Sequence, residues 1–119
     1  MALTIAYVST PNSEHHEAQF AGLRAVVLDL TFDSSYPTTG EDLTAADLGW
    51  TYLFGAITLV HPKNAAGTLG LPCMVSANST NTTLAFQTLE SAGDGDPMDE
   101  SANATDLSLF TGRFVVLGY

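Results

Sequence analysis

Positive charge is the scarcest commodity in this sequence. Arg24, Lys63 and Arg113 stand against 13 aspartates and glutamates in 119 residues, a formal net charge of -10. Nucleic-acid binding needs basic groups that displace phosphate counterions, and anionic membranes attract the same groups. Neither nucleic acid nor membrane is therefore an expected partner; a locally basic protein surface suits such a chain better. Cysteine is rarer still. Cys73 is alone, so no disulfide within the chain staples the fold. Long apolar runs are missing too: Leu53 to Val60 is far shorter than the ~20 residues of a membrane-spanning helix. The opening MALTIAYVST has neither a basic n-region nor an adequate apolar run, so no signal peptide is expected. G-x-S-x-G, H-E-x-x-H and a phosphate-binding glycine loop are all lacking. No enzyme, catalytic residue or cofactor is expected from such a list.

What remains is a β pattern. A chain of this length forms one domain and buries roughly two thirds of its unfolded surface. Leu3, Ile5 and Tyr7 alternate as a first strand, and 12–18 is polar without periodicity. That divides the chain into an N-terminal strand with a polar arm, 1–18, and a domain, 19–119. A strand is expected from about Phe20 through Phe32, with Gly22 marking a bulge. Val26, Leu28, Leu30 and Phe32 take one side of it, and Asp29, Thr31 and Asp33 the polar side. Pro37 breaks the ladder. Thr44 to Asp47 then has the spacing of a capped helical turn, ended by Gly49. From Trp50 to Val60, Trp50, Tyr52 and Phe54 share one face and Leu53, Ile57 and Leu59 the other, a strand covered on both sides. Leu71 to Ala77, a turn at Asn78 to Asn81, and a strand carrying Leu84 and Phe86 inward make a hairpin. Phe110 to Leu117 closes the chain, Phe114 and Val116 facing one way and Val115 and Leu117 the other. The fold class is all-β: an antiparallel β-sandwich or barrel, jelly-roll-like, with only one-turn helices.

Four polar or reactive groupings invite a chemical reading. Adjacent His15 and His16 of His15-His16-Glu17 in an extended segment point apart and chelate one ion poorly, and a site needs further ligands that the sequence does not single out. Asp94, Asp96, Asp99 and Glu100 offer oxygens for Ca²⁺ on a glycine-bearing loop, but not at EF-hand spacing, and a solvated acidic loop is the default. No metal is expected. Asp29 and Asp33 would lie ~13 Å apart along one strand, beyond a glycosidase pair, and both are expected to face solvent. Cys73 with His61 could pair as thiol and base, yet Cys73 lies on an apolar face, where an inert buried thiol is commoner. The sequons at Asn78, Asn81 and Asn103 are turn and strand residues in a chain without a secretory signal. For Trp50, Tyr52 and Phe54, ordinary core is favoured over an exposed binding face.

Two stretches carry a resemblance. Asp29 to Gly49, D-L-T-F-D-S-S-Y-P-T-x-G-E-x-L-T-A-A-D-L-G, resembles a segment of small structural proteins of tailed bacteriophages: minor capsid, decoration or cement proteins. Asn103-Ala104-Thr105-Asp106-Leu107-Ser108, Arg113 and Val115-Val116-Leu117-Gly118 resemble that family's closing strand. Thr39 departs from the pattern, standing where glycine is expected, and a turn needing positive φ there would be strained. The resemblance implies a virion structural protein on the outer capsid surface, made in the host bacterial cytoplasm. It would stabilise the head by binding across subunits of the major capsid protein. A homo-oligomer, preferably a trimer, suits threefold positions of an icosahedral shell. The candidate interface residues are Leu3, Ile5, Tyr7, Trp50, Tyr52 and Phe54. A virion-attached β-sandwich that binds host carbohydrate is the alternative.

Overall fold

A computed structural model describes residues 3–8, 17–91 and 98–119, with backbone alone for 17–20 and 91. The strands are β1 (Thr4–Tyr7), β2 (Glu17–Phe20), β3 (Leu23–Thr31), β4 (Glu41–Thr44), β5 (Leu53–Lys63), β6 (Cys73–Ala77), β7 (Thr83–Ser91), β8 (Met98–Glu100) and β9 (Thr111–Gly118). All pairings are antiparallel. The larger sheet runs β1-β3-β9-β5, with β2 also on β3, and the smaller runs β4-β7-β6, with β8 on β7. This is the all-β sandwich that the alternating pattern predicts. Its pairings nest β4 with β7 inside β3 with β9, but do not by themselves spell out the eight strands of a jelly roll. Among the described residues no helix is long and apolar enough to cross a membrane.

Period-2 patterning builds the core. Val26, Leu28 and Leu30 of β3, Phe114 and Val116 of β9, and Leu84 and Phe86 of β7 all point between the sheets and are buried, with Phe32 just beyond β3. Phe86 meets Phe114 edge to face, ring centroids 4.8 Å apart, the arrangement that ring quadrupoles favour.

The Asp29–Gly49 stretch turns out to be scaffold. Tyr36 is fully buried; its hydroxyl donates to Glu100 at 2.8 Å and accepts the Thr88 N–H at 3.2 Å. Gly40 takes φ 98, and a Cβ there would come within 2.7 Å of the Phe86 carbonyl oxygen, so only glycine fits. Thr44 caps a single 3-10 turn, Ala45–Leu48, its N–H donating to the Asp47 carboxylate at 2.9 Å, and Gly49 ends it in the left-handed region as expected. The second resemblance stretch lies directly against the first. Tyr36 N–H donates to Thr105 O, Ala104 N–H to Tyr36 O, and Leu107 N–H to Asp33 O. Two segments far apart in sequence thus lock into one structural unit.

Thr39 does sit at φ 79. A left-handed L-residue costs about 1–2 kcal/mol, more tightly felt by a β-branched side chain, while glycine gives back roughly 0.5–1 in unfolded-chain entropy. Thr39→Gly is therefore expected to stabilise the domain by about 0.5–1 kcal/mol, read from the urea midpoint. A loss of stability would show that the Thr39 side chain contributes more than its backbone costs.

Asp33 corrects one expectation. β3 ends at Thr31, and Asp33 is buried instead of facing solvent. Its carboxylate accepts from the Ser34 hydroxyl and the Ser35 N–H, and its own N–H donates to Glu41 Oε1 at 3.1 Å. Burial pushes the Glu41 carboxyl above its ordinary 4.5, against the pull of the Asp33 N–H and helped by the Asp33 charge. The folded state thus holds this proton more tightly than the unfolded chain, so stability falls as pH rises from 4.5 through the folded value. Asp29 and Asp106 are shifted the other way, below 3.8, by hydrogen bonds from Arg113 and Ser108; what they contribute is lost only as pH drops below 3.8. Above pH 4.5 the Glu41 effect stands clear of those two. Glu41→Gln keeps an acceptor for Asp33 and should remove that part of the decline in denaturation midpoint. An unchanged pH slope in the variant would contradict this assignment.

Two further differences have local causes. Ala21 and Gly22, φ 51 and 81, form the two-residue turn of a β2–β3 hairpin, so Gly22 is no bulge; positive φ at both centres is what such turns require. Alanine in the first position conceals that signature. β4 and β8 are short strands inside stretches read as loops, each held by β7. Val8 donates to Val27, and Glu17 pairs with the adjacent Val26. Both flanks of segment 9–16 are therefore held on one edge of β3; His15 and His16 lie outside the described residues.

Candidate interface on the outer face of the larger sheet

On β3, β9 and β5 the residues that point away from the core form rows. Thr31, Thr111 and Lys63 lie across from one another, then Asp29, Arg113 and Val60, then Val27, Val115 and Ile57, then Ala25, Leu117 and Gly55. The third row is wholly β-branched and apolar, and Ile57 at its end is 54% exposed. At one corner Tyr119 meets Tyr52 and Phe54, ring centroids 5.1 and 5.8 Å away, and all three are exposed. At the other end Arg113 holds Asp29 in a bidentate pair, Nε to Oδ1 at 2.7 Å and Nη2 to Oδ2 at 3.0 Å. The guanidinium draws the Asp29 carboxyl below its ordinary value. Thr31 and Thr111 share a hydroxyl hydrogen bond of 2.8 Å beside it.

The smaller sheet presents a different outer surface. Asp42, Ser76, Thr83 and Gln87 line a polar cleft there with Ala85. Isolated exposed apolar side chains need no explanation on a soluble domain, whereas a contiguous apolar patch rimmed by polar groups marks an interaction surface. The larger sheet has such a patch.

β5 explains why the sequence misplaces its faces. Register shifts fall between Leu53 and Gly55, Thr58 and Val60, and Val60 and Lys63. Each extra residue breaks simple alternation. Leu53 therefore points into the core, while Phe54, Ile57, Leu59 and Val60 are exposed together. Trp50, outside the strand, is buried, with Arg24 Cζ 5.1 Å above its ring. The strand is covered by core on one side only.

Of the six residues expected at an interface, Leu3 and Trp50 are buried and Ile5 packs against the core. Tyr7, opposite Leu28, is exposed at the sheet edge on the core side. Tyr52 and Phe54 lie on the exposed aromatic corner. Sequence reasoning missed Tyr119 altogether, because a terminal residue carries no periodicity. Val115, Leu117 and Ile57 were visible as apolar residues on the second side of their strands, and that two-sided pattern was the usable signal; Val27 lies on the side of β3 that the aspartates mark as polar.

The other candidates separate. Asp94 and Asp96 lie outside the described residues, Asp99 is exposed, and Glu100 is engaged by Tyr36. His61 Nδ1 accepts the Cys73 backbone N–H at 3.1 Å and does not face the thiol as a base. Burial pushes the Cys73 thiol up to about 12, so it stays protonated near neutrality. Asn78 binds its own turn, accepting from Thr82 and Thr83 N–H. Among the described residues no group of three or more His, Cys, Asp or Glu is placed to hold a metal ion. Comparison with protein-family models, with curated proteins and with solved structures finds no match to this chain.

Proposed function

We propose that this chain is a structural binding protein that docks through the outer face of its larger sheet. The setting we assign is that of a capsid decoration or cement protein, seated on the outer surface of a phage head across major capsid protein subunits. One observation carries the docking reading: the apolar Val27–Val115–Ile57 row, half-buried at the two valines and exposed at Ile57, shares the outer side of one sheet with the exposed Tyr52–Phe54–Tyr119 corner. The resemblance of Asp29–Gly49 and Asn103–Gly118 supports the setting, and both stretches serve the fold that displays this face. Four sheet positions ~4.8 Å apart and eight residues at ~3.4 Å give a face of about 500 Å². Covering it buries about 1,000 Å² in total, the lower limit of a specific attachment. A partner shared between neighbouring subunits, or a trimer on a threefold axis, would multiply that area.

The aromatic corner favours one second reading, a module that stacks host sugars on Tyr52, Phe54 and Tyr119. Two measurements separate the readings. Quantifying the protein in purified particles should find many copies over the shell, and a glycan-binding screen should find no saturable ligand. Few copies at a vertex or tail, together with saturable glycan binding, would favour host recognition instead.

A further inference from the structure

At the end of the outer face opposite the aromatic corner, an open cleft of about 290 Å³ lies between β5, the turn after it and the start of β9. Asp29, Val60, Lys63, Leu109, Thr111 and Arg113 are among its lining residues. Two of the three cations of a chain with net charge -10 meet here. Asp29 is the lone acid of the lining, and Arg113 already neutralises it. Lys63 makes no ion pair or side-chain hydrogen bond among the described residues, and the Arg113 pair uses Nε and Nη2. The cleft thus carries about one unpaired positive charge. Its neighbours Val60 and Leu109 are exposed apolar groups. The volume sits at the lower end of small-molecule pockets, which suits one side chain. Charges farther off than ~8 Å are largely screened at physiological salt, so the acidity of the rest of the chain does little to repel an anion held here.

We infer that this cleft receives a carboxylate side chain, aspartate or glutamate with an apolar neighbour, from the protein partner that covers the outer face. The Lys63 ammonium and the outward N–H groups of Arg113 hold the carboxylate, and Val60 and Leu109 take the apolar flank. This assignment rests on the docking reading above for its partner, but its chemistry can be tested on the chain alone.

The test follows backbone amide NMR shifts of the ¹⁵N-labelled chain during titration with acetyl-Val-Glu-Leu-amide, its glutamine counterpart, and methyl glucuronide. The expected result is saturable movement at Lys63, Asn64, Thr111 and Arg113 with the glutamate peptide at ~mM concentration, and none with the glutamine peptide. Lys63→Glu should weaken binding about tenfold or more, with Lys63→Gln as the milder variant if reversal disturbs the strand. Equal responses to the two peptides, no response at those amides, or undiminished binding by both variants would overturn the assignment. Tighter binding of the glucuronide would overturn the protein-partner assignment in favour of an acidic sugar. Failure of the docking reading would show elsewhere, as particle attachment indifferent to Ile57, because no shell enters this titration.

Discussion

Phe86→Ala is expected to destabilise the domain by about 3–5 kcal/mol. Phe86 is fully buried on β7, the strand that both β4 and β6 pair with, and its ring packs edge to face on Phe114 across the sandwich. Truncation removes the ring contacts from both sheets at once and leaves a cavity that β-sheet backbones cannot close. A domain of this size has about 5–15 kcal/mol of total stability, so the variant keeps at best a fraction of it. Urea denaturation followed by far-UV circular dichroism measures the loss. Phe114→Ala should cost a similar amount, and the double variant less than the sum, because the pair shares one contact. A cost near zero for either would mean that the two sheets do not pack as described.

Much of that core was legible in the sequence, and the reason is simple. Leu28, Leu30, Phe86, Phe114 and Val116 lie in strands whose pairing is regular, so period 2 reports the buried side faithfully. The same rule fails on β5, where a register shift at Phe54 leaves it exposed along with Ile57, and two further shifts disturb the alternation beyond Thr58. Bulges carry no residue signature strong enough to read without the partner strand. Asp33 misled for a related reason: the strand stops before it, and a carboxylate can be buried once Ser34 and Ser35 satisfy it. Thr39 is the converse case, where one residue out of pattern correctly announced a positive φ. The exposed face was half visible. Apolar residues on both sides of β5 and β9 required something beyond a single core, but only the register aligned Val27, Val115 and Ile57 into one row.

Ile57→Asp tests that row. Ile57 is exposed, so the fold should lose no more than about 1 kcal/mol, the span of strand propensity. A carboxylate desolvated in an apolar contact costs far more, about 2 kcal/mol or above where the contact is a hot spot, which is at least ~30-fold in affinity. Binding of purified variant to shells that lack the protein should therefore fall steeply at unchanged melting temperature. Ser76→Asp, on the exposed polar surface of the smaller sheet, is the matched control and should bind as the parent does. Equal attachment of parent and Ile57→Asp would move the docking surface away from this face.

The proposed function is binding energy added to a shell, and comparing matched particles with and without the protein tests it most directly. Anything that binds the assembled shell but not its separated subunits must stabilise the shell by linkage. Heating, or dilution into low ionic strength, should disrupt shells lacking the protein first, and adding the purified chain back should restore resistance in proportion to occupancy. Identical disruption curves at full occupancy would contradict the account.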